Sequence, residues 1–133
     1  NARLSQNGTW EKSEGKSIIQ KILGETIFEE EFIGVREDKA FTAKSWLGND
    51  NRTKLYQRVF ADSNHGVLIV YEGSLIDKIL RLEHELIVNN APLKLRFTYT
   101  LLSNDTFSVE SARSTDDGKT WDRTGFSQYS RIK

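Results

Sequence analysis

The sequence predicts an all-β domain of eight to ten antiparallel strands, arranged as a sandwich or a closed barrel. Three observations predict it. The dominant hydrophobic period is two rather than 3.6. Turn signals recur at short, regular intervals, and no segment carries a convincing helical pattern. The chain has 133 residues, which fits a single domain over 1–133 with a substantial core.

The elements follow in order. Residues 8–14 open the series, and residues 17–34 hold strands at 18–23 and 26–33, with Gly24 between them. Residues 40–47, 53–62 and 66–72 read as strands broken by Gly48-Asn49-Asp50-Asn51 and by Asp62-Ser63-Asn64-His65-Gly66. The period is clearest in residues 79–88, where Leu80, Leu82, His84, Leu86 and Val88 share one face. Residues 93–101 repeat it with Leu93, Leu95, Phe97, Tyr99 and Leu101, after the turn signal Asn89-Asn90-Ala91-Pro92. Residues 105–113 alternate again, and a last strand runs from about 120 to 132. A closed barrel of this size leaves no exposed sheet edge and can hold one small ligand.

Composition excludes several functions. Lys plus Arg count 19 and so do Asp plus Glu, and this balance removes the electrostatic case for nucleic acid. There is no basic amphipathic helix and no apolar run of transmembrane length, so membrane insertion is not expected. Cysteine is absent, which excludes disulfides, thiolate metal sites and a cysteine nucleophile. Residue 1 is Asn and the chain has no Met, so a mature form left after signal removal and an ordered piece of a longer chain are both open readings. The compartment stays open, cytoplasmic or exported. The tripeptides at Asn7, Asn51 and Asn104 fit the glycosylation pattern, as chance allows in a chain rich in Asn, Ser and Thr.

Two sets of motifs carry resemblances. Ser114-Thr115-Asp116-Asp117-Gly118-Lys119-Thr120-Trp121 resembles the Asp-box, a β-hairpin signature best known from sialidases and other propellers. The chemistry suits a tight hairpin. Asp116 can accept backbone N–H groups of its own turn, Gly118 can take a positive φ, and the Trp121 ring can fold beneath. A propeller needs several blades of ~40–50 residues, so the length excludes that scaffold.

Gly8-x-Trp10 near the start and Tyr129-Ser130-Arg131 near the end resemble lipocalins and their calycin relatives. That resemblance implies that Arg131 packs across the Trp10 ring and ties the last strand to the first. Ile18-x-x-x-Ile22-Leu23-Gly24, Ile27-x-Glu29-Glu30, Asn51-x-Thr53-Lys54-x-Tyr56, Phe60-x-Asp62 and Tyr71-x-Gly73 occur in the same order as in a bacterial lipocalin-like family, domain-of-unknown-function family number fifteen seventy-nine. Phe60 stands where that family more often has Trp. The resemblance implies a single lipocalin-like β-barrel and supplies no reaction.

The candidate chemistry lies where polar residues break inward faces. His84 interrupts an apolar strand face and could orient a ligand, act as a base or ligate haem iron. A hydrogen-bonded core histidine explains it equally simply. Glu30 lies between Glu29 and Glu31 and shares its strand face with Phe28 and Phe32, so Glu30 is the inward carboxylate and Arg58 its candidate partner. The opposite phase, with Glu29 and Glu31 inward, stays open. His65 falls in a turn and is expected to be exposed. Trp46, Tyr56, Phe60, Tyr71, Phe97, Tyr99 and Phe107 could wall an apolar pocket or simply fill the core.

No nucleophile elbow, paired metal ligands or Gly-rich phosphate loop occurs, so no catalytic residue, metal or cofactor is assigned. The expected function is binding of a small apolar or amphipathic, lipid-like molecule, with His84, Glu30, Arg58 and Tyr99 as polar anchors and Trp46, Tyr56 and Phe97 as walls. Trp10, Arg131, Asp116, Gly118 and Trp121 are expected to be structural. Two alternatives stand beside it. One is a barrel isomerase or cyclase using a His/Glu pair. The other is a packed barrel that acts through its outer surface in homo-oligomers or with a protein partner.

Overall fold

A computed structural model describes residues 2–4 and 8–132 of the chain; Asn7, in the first of the three glycosylation tripeptides, lies outside them. The described residues form β1 (Ala2–Leu4), β2 (Trp10–Lys12), β3 (Gly15–Ile22), β4 (Ile27–Arg36), β5 (Lys39–Asn49), β6 (Tyr56–Asp62), β7 (Ile69–Ile76), β8 (Ile79–Val88), β9 (Ala91–Leu101), β10 (Thr106–Ser114) and β11 (Asp122–Ser130). All belong to one antiparallel sheet in the order β2-β1-β11-β10-β9-β8-β7-β6-β5-β4-β3. From β3 to β11 it is a plain meander. The count is eleven rather than eight to ten because two three-residue strands, β1 and β2, add to nine longer ones.

Turn chemistry sets the register. Val88 pairs with Ala91, so Asn89 and Asn90 form a two-residue hairpin turn, with φ of 51° and 62°. Asn tolerates the left-handed region, and this turn type matches the twist of the flanking strands. Ala91 and Pro92 therefore belong to β9 rather than to the turn. Glu37 and Asp38 make the same kind of turn, with φ of 50° and 58°, between Arg36 and Lys39.

With register fixed, the alternation decides the faces. Leu80 lies opposite Tyr99 and Leu82 opposite Phe97, and Tyr71, Leu80 and Leu82 form the most buried cluster. Leu47, Tyr56, Phe60, Ile69 and Leu95 pack around it. Burying side chains of this size contributes ~1.5–3 kcal/mol each.

The sheet coils into a strongly curled half-barrel. Among the described residues no backbone ladder joins β3 to β2 or to β11, so the expected closed barrel is observed as a curled sheet with β2 and β3 at its edges. Ser17 on β3 donates to Glu30 Oε1 on the neighbouring β4 at 2.6 Å.

The expected contact of Arg131 with Trp10 does not form among the described residues. Leu4 pairs with Trp10, and Arg3 pairs with Gly125 near the start of β11, whereas Arg131 follows the end of β11. The two side chains thus belong to opposite ends of that strand. Arg131 instead lies 3.6 Å from Asp105, and Trp10 is half exposed.

Candidate ligand-binding site

The concave face of the sheet encloses a cavity of about 340 Å³. Its walls come from strands far apart in sequence: Glu30 and Phe32 on β4, Ser45 on β5, Arg58 and Phe60 on β6, Tyr71 on β7, Phe97 and Tyr99 on β9, Val109 and Ser111 on β10, and Tyr129 on β11. Alternation places them. Ser45 lies opposite both Glu30 and Phe60, Val109 opposite both Tyr99 and Ser127, and directly paired residues share one face of the sheet.

Arg58 dominates the electrostatics. It is 6% exposed, and its guanidinium carbon sits 4.8 Å from the Phe60 ring centre, 4.7 Å from that of Phe97 and 5.9 Å from that of Tyr99. Its Nη1 is buried with no hydrogen-bond partner. Arg96 alternates with the inward Leu95 and Phe97; its guanidinium carbon lies 4.0 Å from the Trp121 ring centre, and its Nε is also buried without a partner. A buried donor left unpaired costs about 1–3 kcal/mol, so the one that Arg58 carries on the inward face calls for an explanation.

Three phenols complete the polar lining. Burial pushes Tyr71 up to about 12, the Arg58 charge opposing the rise. Tyr99 and Tyr129 are also raised, chiefly by burial, with the Glu30 charge adding to both and Arg58 opposing both. The Tyr129 ring stacks on Phe107 at 4.5 Å and 8°. All three hydroxyls stay protonated at neutral pH and can donate to a bound group.

Comparison with known proteins gives this site its family context. A family model described as "Protein of unknown function (DUF1579)" matches residues 1–131. The chain belongs to that family. A search of curated proteins finds no match to it. In this DUF1579 chain the sheet is strongly curled and all-β, with the cavity on its concave side.

Four of the residues expected to contact a ligand, Glu30, Arg58, Phe97 and Tyr99, line the cavity. The inward phase of β4 is the one that carries Glu30. Glu29 and Glu31 lie on the outer face, where both meet Lys44, at 3.6 Å and 2.8 Å. No ion pair joins Glu30 to Arg58 among the described residues; Glu30 is engaged by Ser17 instead.

The other three expected contacts lie elsewhere. Trp46 is on the outer face, where its Nε1 donates to Glu29 Oε2 at 2.9 Å. Tyr56 packs against the Tyr71–Leu80–Leu82 cluster rather than the cavity. His84 is a hydrogen-bonded histidine beside the core: its Nδ1 lies 2.9 Å from the Val70 carbonyl oxygen, and its ring centre is 5.7 Å from that of Tyr71. A carbonyl can only accept, so Nδ1 carries the proton. His84 reaches neither Glu30 nor Arg58, so the convergence that an isomerase or cyclase reading needs is missing among the described residues. No three His, Asp or Glu side chains there converge to hold a metal ion. His65, the turn histidine, holds Asp62 at 2.9 Å.

The 114–121 turn is a dense hydrogen-bond network. The Asp116 carboxylate accepts from the Ser114 hydroxyl at 2.7 Å, the Thr120 amide at 2.9 Å and the Thr120 hydroxyl at 2.5 Å. Gly118, with φ of 82°, donates its amide to Ser114 Oγ at 2.9 Å, and its carbonyl accepts the Trp121 Nε1 proton at 3.1 Å. These bonds, the Thr120 hydroxyl first, hold the Asp116 carboxyl down to about 2. Trp121 in turn lies beneath the Arg96 guanidinium.

Tyr129 and Phe32 are site residues that pattern reasoning passed over, as is Ser17, the donor that engages Glu30. Phe32 and Tyr129 each carried a signal, as aromatics at the inward phase of strands that Glu30 and Arg131 had already drawn attention to. Among the described residues no helix is long and apolar enough to cross a membrane, which leaves strand-based insertion unaddressed.

Proposed function

We propose that this DUF1579 chain is a binding protein for a small amphipathic molecule held on the concave side of its sheet. The observation that carries the reading is Arg58, a buried cation ringed by aromatics and facing a cavity of about 340 Å³, with a donor that no protein group satisfies. Pockets of ~300 Å³ and more, with aromatic walls and a few convergent polar groups, are the usual form of a small-molecule site.

Action through the outer surface has less support. Of the exposed apolar side chains on the outer face of β3 and β4, Ile18 lies opposite Glu31 and Ile33 opposite Lys16, and Glu29 and Lys44 lie on the same face. Charge therefore interrupts the apolar area that a docking face would need.

Native mass spectrometry after incubation with a mixture of lipids and metabolites tests the reading. A retained small molecule is expected, and Val109→Trp, which fills the cavity, should abolish its retention. Failure of the folded wild-type protein to retain anything from the mixture, or equal retention by Val109→Trp, would overturn it.

A further inference from the structure

We infer that the ligand is a carboxylate-bearing amphiphile whose head group sits on Arg58 and whose apolar part lies along Phe60, Phe97 and Phe32. The inference rests on the binding reading above and adds the chemistry of the ligand. Two properties of Arg58 carry it: a buried charge that no carboxylate pairs, and a donor that no acceptor satisfies.

Charge comes first. Arg58 and Glu30 both lie on the inward face that walls the cavity. Glu30 accepts a hydrogen bond from Ser17, whereas no carboxylate pairs with the buried Arg58 guanidinium among the described residues. An unpaired buried cation favours an anion over a neutral or cationic guest. A low-dielectric aromatic surround strengthens that preference, because water screens it poorly.

The donor comes second. Arg58 Nη1 is a buried N–H group with no acceptor, on a residue that faces the cavity. Backbone carbonyls, hydroxyls and carboxylates satisfy buried guanidinium groups in most folded proteins, and here none does among the described residues. An acceptor supplied from outside resolves the deficit. A carboxylate is the matched group: it is planar, it accepts two parallel N–H bonds from one guanidinium, and it carries a single charge. Tyr71 and Tyr99, held protonated by burial, can donate to the same oxygens. The remaining walls are rings and aliphatic groups, which suit an alkyl or aryl body rather than a second charge.

Titration calorimetry with decanoate, decanol and decyltrimethylammonium tests the inference, since the three differ mainly in head group. Wild-type protein should bind decanoate roughly 10- to 100-fold more tightly than decanol, the size expected of hydrogen bonds to a charged group. Decyltrimethylammonium should bind most weakly. Arg58→Met should erase the preference for decanoate over decanol, and Arg58→Lys should retain part of it. The wild-type comparison stands whether or not either variant folds. Equal affinities for decanoate and decanol, or a preference for the cation, overturn the inference and leave the binding reading intact. Binding of none of the three overturns both.

Discussion

Replacing Arg58 with Met should make the ligand-free protein more stable, and the balance of terms can be worked from its surroundings. Met has similar length and no charge, so the packing around Phe60 and Phe97 is largely kept. The substitution loses the attraction of the guanidinium to two rings closer than 5 Å and a third at 5.9 Å, worth about 2 kcal/mol in all. It also removes an unpaired donor that costs about 1–3 kcal/mol and a buried charge whose desolvation costs several kcal/mol more. Glu30 is not placed to offset that desolvation, because no ion pair joins it to Arg58. The net expectation is a gain of about 1–3 kcal/mol, or a Tm higher by roughly 3–10 °C in a chain of this size. Calorimetric melting and urea unfolding of both proteins, stripped of ligand by refolding, measure it. A Tm lower than wild type would refute the reasoning: Arg58 would then stabilise the fold, and its orphaned donor would no longer point to a guest.

Three further outcomes follow from the same structure. Asp116 is held to about 2 against an ordinary value of 3.8, so its charged form stabilises the turn above pH ~4 and that contribution is lost as pH falls through about 2. An NMR pH titration should show the Thr120 and Gly118 amides unmoved until below pH ~3; a midpoint near 3.8 would contradict the network. The Tyr71 phenol is raised to about 12 from 10.0, so the folded state keeps its proton after the unfolded chain has lost it. Stability should therefore be intact below pH ~10 and fall as pH rises through about 12, with phenolate absorbance lagging behind that of a denatured control; coincident curves would place Tyr71 in solvent. Ser17→Ala removes the donor to Glu30 Oε1. It should cost about 1.5–3 kcal/mol in urea unfolding, the range for a hydrogen bond to a charged group, and no change would show that this bond contributes nothing.

Where polar and apolar residues alternated cleanly, the chain told its structure. The β8–β9 hairpin, its Asn89-Asn90 turn and the 114–121 network follow from local chemistry, because turn residues and a period of two act over a few positions. The phase of β4 was favoured for the same reason, since Phe32 shares the face of Glu30, but the opposite phase stayed open; the ion pairs of Glu29 and Glu31 with Lys44 on the outer face decide it. Trp46 was misplaced because β5 breaks the simple rule. Its inward positions carry Phe41, Ala43 and Ser45, while its largest residue packs outside against Glu29 and Lys44. Size drew the ring toward the cavity in sequence reasoning, whereas the strand phase and a carboxylate acceptor fix it on the other face. The Trp10–Arg131 tie failed for a nonlocal reason, the insertion of β1 between β2 and β11. Nothing in a three-residue strand announces where it will pair.

The unpaired state of Arg58 is a property that no sequence pattern could hold. A reader of the chain sees one inward Glu and one inward Arg and joins them, since buried charges are usually paired. In the fold Glu30 accepts instead from Ser17 on the neighbouring strand β3. Arg58, on β6 two strands from Glu30, is left with aromatic faces alone. Pairing on a meander is decided by the side chain one strand away, and the guanidinium beyond that reach keeps a donor to offer.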